Sequence, residues 1–217
     1  MVLKPKRIDA IGPEKLGVSL AASMLEQTSV YRAWQLPFAN QKFAPVLAHN
    51  RLPSVRRVLD VACGPGTNTG HFANADYLGI DFNEHYIRDA RRRFRRNFEV
   101  ADARSYAARS SDRFDFILVN SFLHHLDTND VRAVLLNLRS MLTPDGHIHI
   151  LEPELPERPL IAHLLARWDR GKFVRPFEKW VEIFDDLFER VVFEPYRLTG
   201  MGFTLWRMLY FKGRARA

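Results

Sequence analysis

The chemistry of this chain concentrates in one stretch, Val58-Leu-Asp-Val-Ala-Cys-Gly-Pro-Gly-Thr-Asn-Thr69. An apolar run ends on an acid, Asp60, and opens into a glycine-rich turn. Glycines there permit positive φ and a close approach of backbone to a ligand. A helix starting after such a turn would aim its first N–H groups at a carboxylate or phosphate. Units of this kind hold nucleotide-like ligands at the carboxyl edge of a sheet. Three more polar ends follow. Asp81 closes the next apolar run about 20 residues after Asp60, the separation at which a carboxylate reaches a ribose diol. Asp102 closes Phe98-Glu-Val-Ala, and Asn120-Ser121 closes Phe114–Val119. Any one of them could be a helix cap or a turn residue. Four in succession, each where a ligand would sit, point to a ligand.

His124 and His125 come directly after the fourth run. Histidine titrates near neutrality, so either could take a proton from a hydroxyl, an amine or an activated carbon. The plainer role for one of them is to cap a helix or pack against the sheet. Cys63, the single cysteine, lies inside the glycine turn and reads as a small turn residue rather than a nucleophile. His147 and His149 share one face of a strand, but no third ligand accompanies them at metal-binding spacing. They read as structural, and no metal site is expected.

These residues need a scaffold that brings successive strand ends together. Short apolar runs at 58–62, 77–80, 98–101, 114–119, 147–151, 191–193 and 204–211 alternate with helix candidates at 67–73, 83–96, 129–141 and 157–168. That alternation implies right-handed βαβ units and a largely parallel sheet. The last two runs are too close for a crossover helix, so they should pair antiparallel at one end. Residues 13–48 read as helical pieces interrupted by Pro37 and Pro45. The expected architecture is a Rossmann-like α/β three-layer sandwich with a seven-stranded, mostly parallel sheet and a C-terminal antiparallel hairpin. Residues 1–50 would form an N-terminal helical lid, and 51–217 the ligand-binding domain with a cap insertion at about 154–188.

Composition narrows the field. With 217 residues, 47% of them hydrophobic and 26% charged, the chain can bury the core of one ordinary globular domain. A single cysteine rules out an intramolecular disulfide and suggests a reducing, cytoplasmic setting. No uncharged apolar run is long enough to span a bilayer. The basic N-terminus has no apolar stretch behind it, so it is not read as a secretory signal. The net charge of +7 is densest at Arg88 and Arg91-Arg92-Arg93-Phe94-Arg95-Arg96. Basic side chains beside an aromatic can bind nucleic acid, but such a cluster is more often a solvated helix face.

Two ligand classes share this scaffold. A dinucleotide fold wants G-x-G-x-x-G, and Gly64-Pro-Gly66-Thr-Asn-Thr69 lacks the third glycine; nor is there a Tyr-x-x-x-Lys pair, so an NAD(P) oxidoreductase fits poorly. Residues 55–212 instead resemble the class I S-adenosylmethionine-dependent methyltransferases, in particular the small-molecule branch with an LHHL motif after the fourth strand. The resemblance rests on VLDVACGPGT (58–67), YLGIDFN (77–83), FEVADA (98–103), FDFILVNSFLHHLD (114–127) and LRSMLTPDGHIHILEP (138–153). It implies S-adenosylmethionine as cofactor. By the same resemblance Asp60 and the Ala62–Gly66 turn, with Gly64 and Gly66, would hold its methionine end. Asp81 would take both ribose hydroxyls, with Phe82 against the adenine. Asp102 would accept from the adenine amino group beside Ala103, and Asn120 and Ser121 would border the sulfonium. The family usually has glycine where Ala62 stands.

His125, the more regular member of the LHHL pair, is the first candidate for general base and His124 the second. The acceptor is expected to be a small, apolar or aromatic metabolite, with an anionic group suggested by Arg170, Lys172 and Arg175. Tyr31, Trp34 and Phe38 in the lid, and Leu164 and Trp168 in the cap, are the substrate candidates. The alternatives are an RNA methyltransferase using the arginine-rich helix and a cofactor-binding protein without methyl transfer. Amino methyltransferases acting on nucleic acid or glutamine carry an N/D-P-P-Y-like motif, whereas Asn120-Ser-Phe-Leu stands here. Peripheral membrane contact, the acceptor atom, the pathway and the choice between monomer and homodimer stay open.

Overall fold

Val58, Leu59, Asp60 and Val61 are all buried, which a strand achieves only inside a sheet covered on both faces. The computed structural model describes residues 28–106, 113–155, 173–200 and 202–216, with only the backbone of 28–37. The chain divides into a short unit, Met1–Pro37, and a large one, Phe38–Ala217. The large unit is built on a seven-stranded sheet: β1 (Arg57–Val61), β2 (Asp76–Asp81), β3 (Asn97–Val100), β4 (Phe114–Asn120), β5 (Leu142–Pro153), β6 (Phe188–Gly200) and β7 (Phe203–Ala215). Their order is β3-β2-β1-β4-β5-β7-β6. The first four pairings are parallel, and β7 runs antiparallel between β5 and β6, as the short link between the last two runs requires. The order reverses between β1 and β4, which leaves a crevice at the carboxyl ends of those two strands.

Alternate residues of each strand feed two cores. Leu59, Val61, Ile117, Val119, Ile148 and Ile150 pack with α3 (Thr128–Ser140) and α4 (Phe177–Leu187) on one face. Val58, Tyr77, Phe98, Phe116 and Leu118 pack with α2 (Glu84–Arg93) and with Phe43 and Val46 of α1 (Thr28–His49) on the other. This is the expected three-layer sandwich. Asn83 caps α2 by accepting the N–H groups of His85 and Tyr86, and Asp127 caps α3 the same way with Asn129 and Asp130.

Four local readings differ from expectation. Residues 28–49 form one helix rather than short pieces, with Pro37 and Pro45 inside it; burial of Phe43 and Val46 offsets the broken backbone bonding near Pro45. Residues 67–73 give only a single 3-10 turn, Thr69–Phe72, because Thr69 and Gly70 are poor helix formers. The arginine-rich helix stops at Arg93, where the chain bends into β3. At the end of the segment read as a cap, α4 is a core helix: Trp180, Ile183, Phe184 and Leu187 recur at helical spacing and are buried against the sheet.

Candidate active site

The crevice is lined by residues that leave their strands in unusual conformations. Ala62, at the end of β1, has φ 55, and Gly64 and Gly66 follow at φ 54 and 79. Only glycine adopts such values without strain, so Ala62 is held there by its neighbours. Two of the bonds that fix the turn run to the end of β2: the Cys63 N–H donates to the Ile80 carbonyl, and the Gly64 N–H to Asp81 Oδ2 at 2.9 Å. A Cβ on Gly66 would stand 3.0 Å from Phe94 and from Thr69 Oγ1, so a larger residue there would meet crowding as well as the strain of φ 79.

The two acids flanking the turn differ. Asp60 is fully buried; its Oδ2 accepts the Tyr77 hydroxyl at 2.7 Å, and its Oδ1 has no hydrogen-bond partner among the described residues. Burial pushes its pKa up from 3.8 to about 7, against the pull of the Tyr77 and Asn68 side chains. Asp81 lies at the rim, with Oδ1 taking the Asn83 N–H at 2.8 Å and Oδ2 that of Gly64. Burial raises its pKa too, partly countered by those two N–H groups. A carboxylate offers about four acceptor sites, so two remain for a diol. Phe82 beside it is 74% exposed, a large apolar surface at the rim.

Asp102 is less open than its position suggests. Arg104 grips both its oxygens, with Nε at 3.0 Å from each, and that bond holds its pKa below the usual carboxylate range. Ala103 next to it is buried. At the end of β4, Ser121 has φ 56, fixed by its N–H on the Leu151 carbonyl at 2.7 Å. Its Oγ lies 3.2 Å from Asn120 Oδ1 and accepts Lys42 Nζ at 3.0 Å.

The two histidines separate cleanly. His124 is buried, and its Nδ1 is 2.6 Å from Glu152 Oε2. Glu152 Oε1 also accepts the N–H groups of Phe122 and Leu123 at 2.8 and 2.7 Å. Burial alone would raise the Glu152 pKa, but His124 and these N–H groups together hold it below its ordinary value. Arg175 braces the same turn from outside, donating to the Leu123 and Leu126 carbonyls and lying 4.9 Å over Trp180. Arg175 therefore serves the fold rather than an anionic acceptor. His125 is exposed, its ring 4.2 Å from that of His124.

Phe38 packs edge-on against Trp206 at 5.2 Å. The side chains of Tyr31 and Trp34, and the whole of Leu164, Trp168, Arg170 and Lys172, lie outside the described residues. His149 Nδ1 pairs with Tyr210 at 2.9 Å and the ring stacks on Phe116, a structural role as read. The Cys63 thiol is buried and pushed up by burial and by Asp60 and Asp81, which leaves it unreactive. The arginine cluster is bonded to the fold: Arg91 donates to the Phe98 carbonyl, Arg93 to Pro65, and Arg96 to Ala75 and Ala73.

Three residues of the site escaped the sequence reading. Glu152 is a further acid near the carboxyl end of a strand, and the logic that found Asp60 and Asp81 would have found it. Tyr77 is an apolar-run residue whose hydroxyl has no periodicity to betray it. Lys42 reaches the edge from a helix distant in sequence and left no signal.

A parallel sheet with a glycine turn after β1 and polar residues closing the next three strands defines the Rossmann-like scaffold of class I methyltransferases. Residues 58–146 match the family model described as a methyltransferase domain. Over that stretch the chain is similar to this methyltransferase family, and its fold is the Rossmann-like one. It is 32% identical over 127 residues to a trans-aconitate 2-methyltransferase of Variovorax paradoxus, covering 56% of this chain and 47% of that one. A trans-aconitate 2-methyltransferase of Methylobacterium nodulans is 31% identical over 148 residues, 64% and 55% of the two chains. The chain thus spans about half the length of these curated relatives. Among solved structures, the N-methyltransferase NodS from Bradyrhizobium japonicum with S-adenosyl-L-homocysteine superposes with a TM-score of 0.64 at 19% identity, over 82% and 86% of the chains. The mitomycin 7-O-methyltransferase MmcR gives 0.64 at 17% identity, over 87% and 56%.

Proposed function

We propose that this protein is an S-adenosylmethionine-dependent methyltransferase acting on a small-molecule acceptor and releasing S-adenosylhomocysteine. The observation that carries the reading is the crevice between β1 and β4, with its positive-φ turn (Ala62, Gly64, Gly66) tied to Asp81. The donor set fits such a cofactor: a carboxylate with acceptor sites to spare for a diol, an exposed aromatic for a base, and a backbone turn bared by glycine. When bound, S-adenosylmethionine supplies an electrophilic methyl on a cationic sulfur.

The chain's own residues then have separable tasks. Asp81 holds the ribose hydroxyls, Phe82 covers the adenine, and Asp102 with Ala103 borders its far edge, sharing its carboxylate with Arg104. Asp60 and the Ala62–Gly66 turn hold the methionine end. Asn120 and Ser121 lie beside the reacting methyl. The protein chiefly has to align nucleophile and methyl and exclude water. His125, exposed just beyond β4, takes a proton where the nucleophile carries one, and the buried His124–Glu152 pair positions it. Trans-aconitate 2-methyltransferases, by their names, act on trans-aconitate, which makes small carboxylic acids the first acceptors to try. No helix among the described residues is long and apolar enough to cross a membrane, and with one cysteine in the chain we place the enzyme in the cytoplasm.

Calorimetric titration with S-adenosylmethionine, S-adenosylhomocysteine and NAD tests the reading. The wild type should bind the two adenosyl compounds and not NAD. Asp81→Asn, which leaves one acceptor oxygen and weakens the grip on a diol, should lose at least tenfold in adenosyl affinity, with its melting temperature checking that the variant is folded. A folded protein that ignores both adenosyl compounds, or binds them equally well without the Asp81 carboxylate, would refute it.

A further inference from the structure

The acid assigned to the adenine end is already engaged by its own loop. Asp102 follows β3, and Arg104 reaches both of its oxygens. Oδ1 accepts the Arg104 backbone N–H at 2.9 Å and Nε at 3.0 Å. Oδ2 accepts Nε at 3.0 Å and Nη2 at 2.5 Å. A carboxylate offers about four acceptor sites, so Asp102 has little left for another donor, whereas Asp81 keeps two. Arg104 also has a second acid within reach. Its Nη1 lies 3.8 Å from Asp130 Oδ2, and Asp130 belongs to a different element, the first turn of α3. The guanidinium therefore lies between two carboxylates and is held on the one that a bound adenine would need. The Arg104 side chain is 54% exposed, so a short rotation toward Asp130 meets no packed core.

We propose that Arg104 is a latch on the adenine site: it competes with the adenine amino group for Asp102 and swings to Asp130 when the base is seated. This rests on the methyltransferase reading and its placing of adenine at Asp102. An exposed pair of flexible charged side chains is weak, so the latch opens readily. Opening exchanges one arginine–carboxylate pair for another, and Asp130 takes the charge that the move would otherwise leave unpaired. The latch is thus a modest brake on cofactor affinity rather than a block. It also bears on which base is accepted. A 6-amino purine brings a donor to this edge and has to displace the guanidinium. A 6-oxo purine brings an acceptor, which the N–H groups of an arginine on Asp102 can meet. Closed, the rim presents donors; open, it presents a carboxylate. Arg104 therefore weakens the preference for adenine over hypoxanthine, and its removal sharpens that preference.

The test is calorimetric titration of the full chain with S-adenosylhomocysteine and with S-inosylhomocysteine, whose base carries a carbonyl in place of the 6-amino group. Arg104→Met keeps the length of the side chain and removes its charge and donors. It should bind S-adenosylhomocysteine about two- to fivefold tighter than the wild type, the range that an exposed ion pair can supply. The ratio of adenosyl to inosyl affinity should rise by about twofold or more. Asp130→Asn removes the second carboxylate and should weaken S-adenosylhomocysteine by about twofold, an effect that disappears in the Arg104→Met background. Melting temperatures check that each variant is folded; a purely structural ion pair would move the melting temperature and leave the affinity ratio where it was. Unchanged adenosyl affinity in Arg104→Met would make the pair a surface contact only, and weakened affinity would put Arg104 on the cofactor itself. Either result overturns the inference, as does an Asp130→Asn protein that binds like the wild type. A wild type that takes up S-adenosylhomocysteine while the variants fail in these ways defeats the latch and leaves the methyltransferase reading standing. One that takes up no S-adenosylhomocysteine defeats both.

Discussion

Asp60 and Glu152 are both fully buried carboxylates near the carboxyl ends of strands, and their surroundings push them in opposite directions. Glu152 has a histidine and backbone N–H groups, so its charged form is favoured despite burial. Asp60 has one hydroxyl on Oδ2 and, among the described residues, no hydrogen-bond partner on Oδ1, so burial favours its neutral form and its pKa rises to about 7. The folded state therefore keeps the Asp60 proton over a range where the unfolded chain has lost it. Its cost to stability is absent below its ordinary value of 3.8, grows as pH rises, and is complete above about 7. Asp60→Asn keeps an acceptor for Tyr77 and removes the buried charge. It should melt higher than the wild type at pH 8 and close to it at pH 4, as thermal unfolding followed by circular dichroism would show. Equal gains at both pH values would mean that Asp60 does not titrate in this window.

At the scale of elements, the strands were legible because buried strands in a parallel sheet are short apolar runs between turns. Helices α2 and α3 were legible from their polar caps and spacing. The helix α4 falls inside the expected cap insertion, although Trp180, Ile183, Phe184 and Leu187 carry a clear helical period. Packing decided otherwise. Trp180 is fully buried, donates from Nε1 to the Pro153 carbonyl at 3.2 Å and stacks on Phe184, so α4 is pinned to the end of β5. Trp180→Ala should cost about 3–5 kcal/mol, the usual range for emptying a large aromatic site in a core. Urea unfolding should show this as a lower midpoint at unchanged slope. A loss below about 1 kcal/mol would mean that α4 is a loose cover after all.

At the scale of the molecule, the basic surface is the feature most easily misread. A groove of about 550 Å³ lined by Arg91, Phe94, Arg95, Arg96, Asn97, Phe98 and Glu99 lies at the amino end of β3, far from the strand ends that carry the site. Arg91 and Arg96 spend their guanidinium donors on backbone carbonyls, and Arg88 pairs with Glu84. Little of the cluster is left to follow a phosphate backbone. At an ionic strength of about 0.15 M the protein should not retard a single-stranded RNA in a native gel. Retardation that weakens steeply with added salt would bring the RNA methyltransferase reading back.

The sequence by itself determined the mostly parallel sheet with its antiparallel end and pointed to four strand ends that a cofactor would use. Those properties follow from local patterns, apolar runs closed by acids and a glycine turn, and a βαβ chain has few ways to connect them. Tertiary structure decided what each residue at the edge can do. It buried His124 against Glu152 and left His125 exposed, although the two are adjacent in the chain. It turned Arg91, Arg96 and Arg175 into braces on backbone carbonyls. It carried Lys42 from α1 to Ser121, 79 positions away. Burial, desolvation and long-range hydrogen bonding set the charge and the reach of a side chain, and none of these has a period that a sequence can display.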